Sequence, residues 1–121
     1  RESGLIFRQK KMNEALKKYT DTAHCPIRNV ISHFSSKWGL LLLAMLGECR
    51  TLRFNEMRHA IPDISPRVLS STLKSLESDG LVSRRVLPTV PPGVEYSITD
   101  KGLSLIPILS DLIRWGINQL R

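Results

Sequence analysis

Cysteine, acidic residues and long apolar runs are all in short supply in this chain, and each shortage removes a class of protein. Two cysteines, Cys25 and Cys49, are too few for a disulfide scaffold and point to a reducing compartment such as the cytoplasm. The longest apolar run, Leu40 to Leu46, falls far short of the roughly 20 residues a membrane span needs. No secretory signal pattern stands at the start. The three histidines, His24, His33 and His59, are scattered, with no H-E-x-x-H or H-x-E spacing and no C-x-x-C. Catalysis and a metal site are therefore not expected. No glycine-rich phosphate loop is present, so neither a nucleotide switch nor any other cofactor is expected. There is no internal repeat and no low-complexity linker.

Acids are scarce relative to bases. Asp and Glu total 11 against 18 Lys and Arg in 121 residues, a formal charge of +7. A chain so basic suits nucleic acid or an anionic membrane surface. A hydrophobic content of 41% marks a globular chain, long enough for one domain with a real core.

Apolar spacing divides the chain into helices. Leu5 to Tyr19 reads as an amphipathic helix, with Leu5, Met12, Ala15, Leu16 and Tyr19 on one side and Arg8, Lys10, Lys11, Lys17 and Lys18 elsewhere. Cys25-Pro26 opens a second helix, expected over residues 26–34. "KWGLLLLAML" is apolar nearly all round, as a buried central helix is. "RFNEMRHAI" is a short helix with Phe54, Met57 and Ile61 inward.

The stretch "ISPRVLSSTLKSLESDGLV" follows after a tight "PDI" connection. Ser65 is a good N-cap and Pro66 suits the first helical position. Gly80 is the usual stop. The spacing predicts a helix over 66–79. Leu69, Thr72, Leu73 and Leu76 share one side; Arg67, Ser71, Lys74 and Ser78 lie opposite, with Ser70 and Ser75 at the edges. A small, hydroxylated, cationic face with no acid at its centre suits a helix lying in a nucleic-acid groove. Two helices joined by so short a turn form a helix-turn-helix with the second one presented.

"LVSRRVL" and "VEYSI" then read as strands around "PTVPPG", whose prolines lack backbone donors. The expected fold is therefore mainly α with a small β-hairpin: a winged helix-turn-helix. Arg84 and Arg85 are adjacent, so they point to opposite faces of the strand and only one faces DNA. Thr99 caps a last helix whose apolar set is too wide for one small domain, and Pro107 is expected to kink or break it. The surplus apolar surface here and on the first helix points to a homodimer on a twofold-symmetric DNA site.

These segments carry a resemblance. "HCPIRNVISHFSSKWGLLLLAML", "LRFNEMRHAIPDISPRVLSSTLKSLESDGLVSRRV" and "PTVPPGVEYSITDKG" are similar to the HxlR-type winged-helix transcriptional regulators, over roughly residues 25–115. The resemblance implies a dimeric DNA-binding regulator, with residues 66–79 as the recognition helix. The candidate DNA-contacting set is Ser65, Arg67, Ser70, Ser71 and Lys74 on that helix, with Arg84 and Arg85 on the wing. The chain departs from the family pattern at Ser35-Ser36, where two glycines are common, and at Gly93, where a basic residue often follows the prolines. Residues 1–22 are expected to be a dimerisation arm. Residues 23–121 are expected to form the DNA-binding domain, ending in a second dimerisation helix.

Cys25 stands at a helix start beside His24 and Arg28, a setting in which thiols become reactive. In some HxlR-type proteins the matching cysteine senses oxidants or electrophiles, so the resemblance makes Cys25 a candidate sensor. The alternative is a cysteine that caps or packs, and Cys49 reads as structural. Two other function classes fit the fold. A MarR-like regulator would bind a small aromatic ligand between subunits. A winged helix that binds protein would carry a neutral or mixed recognition face, unlike the Arg67, Ser71, Lys74 stripe.

Overall fold

A computed structural model of the chain describes residues 2–21, 23–33 and 37–120. It divides into two compact units, Arg1–Ser35 and Ser36–Arg121. The first contains α1 (Glu2–Thr20) and α2 (Pro26–Ser32). The expected end of α2 at Phe34 lies outside the described residues. Asp21 builds the turn between the helices. Its Oδ1 accepts the N–H groups of Ala23 at 3.1 Å and His24 at 3.2 Å, and its carbonyl accepts that of Cys25 at 3.0 Å. Such local bonding is how aspartate ends a helix. Arg28 donates back to the carbonyls of Tyr19 and Thr20 at 3.5 and 3.4 Å, occupying acceptors that the end of α1 leaves free. Residues 4–20 are all exposed, and Cys25 is the one buried residue among those described in this unit.

The second unit holds the core. α3 (Lys37–Cys49) supplies Leu42, Leu43 and Leu46, all fully buried. Leu41 is exposed, so the helix is less evenly buried than its composition suggests. α3 ends without a glycine: Arg50 itself takes the left-handed conformation (φ 68°), and its N–H closes on Leu46 O at 2.9 Å. The chain then forms β1 (Thr51–Arg53) before α4 (Phe54–Ala60). The expected two-stranded hairpin is thus a three-stranded antiparallel sheet of order β1-β3-β2, with β2 at Val82–Val86 and β3 at Val94–Ile98.

α4 and α5 (Pro66–Ser78) form the helix-turn-helix. Ile61 and Ile64 between them are buried, as are Met57 of α4 and Leu69, Leu73 and Leu76 of α5. Each such side chain contributes about 1.5–3 kcal/mol on burial, so the turn is pinned as firmly as the helices. α6 (Asp100–Gln119) packs against α3 and β3. Thr99 is its N-cap, its hydroxyl accepting from Gly102 N–H at 3.1 Å. The helix passes through Pro107 unbroken, so of the expected kink or break the break does not occur; the proline withholds the donor that Leu103 O would receive. No helix among the described residues is long and apolar enough to cross a membrane.

Candidate nucleic-acid interface

α5 is positioned from its inner side. Leu69, Leu73 and Leu76 are at most 1% exposed, while Arg67, Ser70, Ser71 and Lys74 are all exposed. The two sets separate cleanly because three- and four-residue steps keep a helix stripe on one side. At its start, the Ser65 hydroxyl accepts Val68 N–H at 3.1 Å, with Pro66 as the first helical residue. Ser65 is thus committed to capping, although it remains exposed. The Ser71 hydroxyl donates to Val68 O at 3.1 Å, which leaves its lone pairs outward as acceptors.

The sheet register separates the two wing arginines. Arg84 pairs with Tyr96, and Arg85 with Glu95. Alternation puts Arg84 on the face of buried Val82 and Tyr96. There it lines a cleft with Ser70, Lys74 and Glu77 of α5. Arg85 belongs to the opposite face, where Glu95 lies between it and Arg53 of β1. Arg84 therefore joins the α5 residues, and Arg85 does not. Both are exposed.

The wing tip is held by its own bonds. Leu87 N–H donates to Gly93 O at 2.8 Å. The Thr89 hydroxyl donates to Pro91 O at 2.9 Å and accepts Gly93 N–H at 3.1 Å. Residues 86–94 carry no charge, and Val90 stands fully exposed at the tip. The wing's cations are thus confined to its stem.

Glu77 and Tyr96, which line the same cleft, were absent from the candidate set. Glu77 stands three residues after Lys74, a spacing at which helix side chains meet; that was its only signal. Tyr96 was recognisable as a strand residue but not as a neighbour of α5, because the contact is non-local.

Cys25 belongs to the first unit. It occupies the N-cap position of α2, makes no side-chain cap hydrogen bond, and is 1% exposed. The His24 ring turns to Asp21 Oδ2 at 3.0 Å. Cys49 is exposed and also a free thiol. No group of three or more metal-ligating side chains occurs among the described residues.

Known proteins share this architecture. An HTH-type transcriptional regulator of Halalkalibacterium halodurans is 45% identical over 92 residues, covering 76% of this chain and 81% of its own. One from Methanothermobacter thermautotrophicus is 46% identical over 92 residues, covering 76% of this chain and 70% of its own. Among solved structures, the redox regulator HypR in its oxidized form superposes with a TM-score of 0.71 at 37% identity, covering 80% of this chain and 99% of that one. The sequence model of the HxlR-like helix-turn-helix family matches residues 33–121. Sequence, winged-helix architecture and the sided helix α5 therefore agree: the chain belongs to the HxlR-like helix-turn-helix family of DNA-binding transcriptional regulators.

Proposed function

We propose that the protein acts as a homodimer on a twofold-symmetric operator, with α5 in the major groove of each half-site. The observation that carries this reading is the division of α5 between a fully buried leucine side and an exposed side of Arg67, Ser70, Ser71 and Lys74. Arginine or lysine reads guanine edges and hydroxyls reach any base or phosphate. Ser65 lies at the end of α5 that enters a groove first in helix-turn-helix docking. Arg84 serves the wing's phosphate contact from the α5 side; Arg85 plays the lesser part. Dimerisation through α1 and α6 is supported by the apolar side chains each leaves exposed: Leu5, Phe7 and Leu16 on α1, and Leu112, Trp115 and Ile117 on α6.

The test is selection of bound genomic fragments, then titration of the winning duplex at several salt concentrations. A palindromic consensus is expected, with log affinity falling by about 0.9 per log salt for each phosphate contacted. Binding that is weak, salt-independent or without symmetry would remove the reading.

A second element concerns control through Cys25. It is favoured by the place of the thiol at the start of α2 without a hydrogen bond, and by the similarity to HypR, itself a redox regulator. Burial means that an oxidant or electrophile reaches the thiol only when the packing around it opens. A gel shift with and without diamide, on wild type and Cys25→Ser, decides it. Sensing requires a change in wild type, restored by thiol reductant, and none in the variant. Equal behaviour would leave Cys25 a packing residue.

A further inference from the structure

The end of the recognition helix is gripped by the beginning of α6. α5 closes with Gly80 N–H on Glu77 O at 2.9 Å and Leu81 N–H on Leu76 O at 3.0 Å, with Gly80 at φ +76°. This paired closure ends a helix sharply and sends the next carbonyls away from it. Each of the three that follow finds a donor in the segment opening α6. Lys101 Nζ donates to Asp79 O at 2.7 Å and the Thr99 hydroxyl to Gly80 O at 2.7 Å. Thr99 N–H donates to Leu81 O at 3.1 Å. The Thr99 hydroxyl also accepts Gly102 N–H, so its bonding is committed on both sides. The backbones are in direct contact: a Cβ on Gly102 would lie 2.3 Å from Leu81 O. The Lys101 ammonium in addition meets the negative end of the α5 dipole.

We propose that Lys101, acting with Thr99, is a positioning residue for DNA recognition, holding α5 at a fixed angle to α6 and thereby setting the distance between the two recognition helices of the dimer. The inference rests on the twofold reading above. Neither residue belongs to the α5 face that docks. Their influence is geometric. α6 is 20 residues long, about 30 Å, so a slip of about 5° at the joint displaces its far end by about 2.6 Å. One base pair adds about 3.4 Å of rise and about 35° of turn between half-sites. A loosened joint therefore shifts the recognition helices axially by a distance comparable with the rise of one base pair, though by little of its turn, and so blunts the preference for one spacing without moving it.

The experiment titrates full-length wild type, Lys101→Met and Lys101→Arg against duplexes whose half-site separation changes one base pair at a time, and against a single half-site. Methionine keeps the stem and removes the donor; arginine keeps a donor. Wild type is expected to prefer one spacing, Lys101→Met to lose about tenfold of that preference, and Lys101→Arg to regain most of it. Half-site affinity and salt slope stay at wild-type values. Lys101→Met that keeps the spacing preference overturns the proposal. So does one that loses affinity equally on every duplex in step with its melting temperature, which is the mark of a purely structural lysine. A fall in half-site affinity or salt slope makes Lys101 a phosphate contact and equally overturns it. If wild type shows no spacing preference, the twofold reading has failed instead. The clamp is then judged by amide exchange: Leu81 and Thr99 N–H exchanging faster in Lys101→Met without global unfolding supports it, and unchanged exchange overturns it.

Discussion

α5 and α6 bury leucine in the same core and turn opposite chemistries outward. Beyond Leu69, Leu73 and Leu76, α5 shows arginine, lysine and serine hydroxyls; beyond Leu109, α6 shows Ile108, Leu112, Ile113, Trp115 and Ile117. The α5 face is well hydrated on its own, so nothing in folding selects its cations; a polyanion does. The α6 face is different. Apolar area left in water forgoes about 25 cal/mol for each Å², and patches of this kind mark contact with another protein surface. α1 repeats the pattern, with every described residue from Gly4 to Thr20 exposed. One outward face supports an anionic partner and the other a second copy.

The comparison breaks most visibly at Leu112. In a twofold interface each substitution counts twice. Fully burying a leucine is worth about 1.5–3 kcal/mol and about half of that remains for the dimer to gain at Leu112, so Leu112→Asp is expected to weaken the dimer by at least about 1.5–3 kcal/mol, or about 10–150-fold. Leu112 is 56% exposed, so the protomer keeps its helical circular dichroism. Sedimentation equilibrium measures the loss. A dimer of undiminished strength would move the interface elsewhere.

The α5 side breaks by smaller amounts. Arg67→Ala or Lys74→Ala is expected to cost about 1–3 kcal/mol on the specific duplex if the side chain reads a base. A pure phosphate contact instead weakens specific and random DNA alike and lowers the salt slope by about 0.9. Arg84→Ala behaves in the second way, while Arg85→Ala, on the other face of the sheet with Glu95, changes affinity less. Anisotropy titrations on both duplexes separate these outcomes. Equal effects of Arg84→Ala and Arg85→Ala would undo the assignment from the sheet register.

How far such detail was readable in advance depended on how local its cause is. α5 was legible almost to the residue: Ser65, Pro66 and Gly80 mark its ends, and the leucine spacing marks its inner side. The strands flanking the prolines were legible for the same reason. β1 was not. It spans only Thr51–Arg53 and exists because β3 pairs with it from more than forty residues away. Arg50 hid it further by ending α3 in a left-handed conformation where glycine is the usual signal. The choice between Arg84 and Arg85 needed the register with Tyr96 and Glu95. The grip of Lys101 on Asp79 O joins residues that no periodicity connects. Cys25 was placed correctly at a helix start, but its burial depends on packing and not on its neighbours in sequence.

The smallest effect sharpens the comparison most, because it separates two roles at one residue. Ser65 caps α5 through Val68 N–H at 3.1 Å and stands exposed at the end expected to approach DNA. Ser65→Ala removes the cap at a cost of about 0.5–2 kcal/mol in stability, read as a lower melting temperature. If capping is its whole role, DNA affinity measured well below that temperature barely changes. Ser65→Asp restores an oxygen for Val68 N–H and adds a negative charge that suits the positive end of the helix, so stability returns. The same charge repels a phosphate. Affinity of Ser65→Asp is therefore expected to fall below both wild type and Ser65→Ala, and the deficit to shrink as salt rises, since screening weakens exposed charges first. A Ser65→Asp protein that melts like wild type and binds the operator like wild type at low salt would show that the start of α5 does not lie against the DNA backbone.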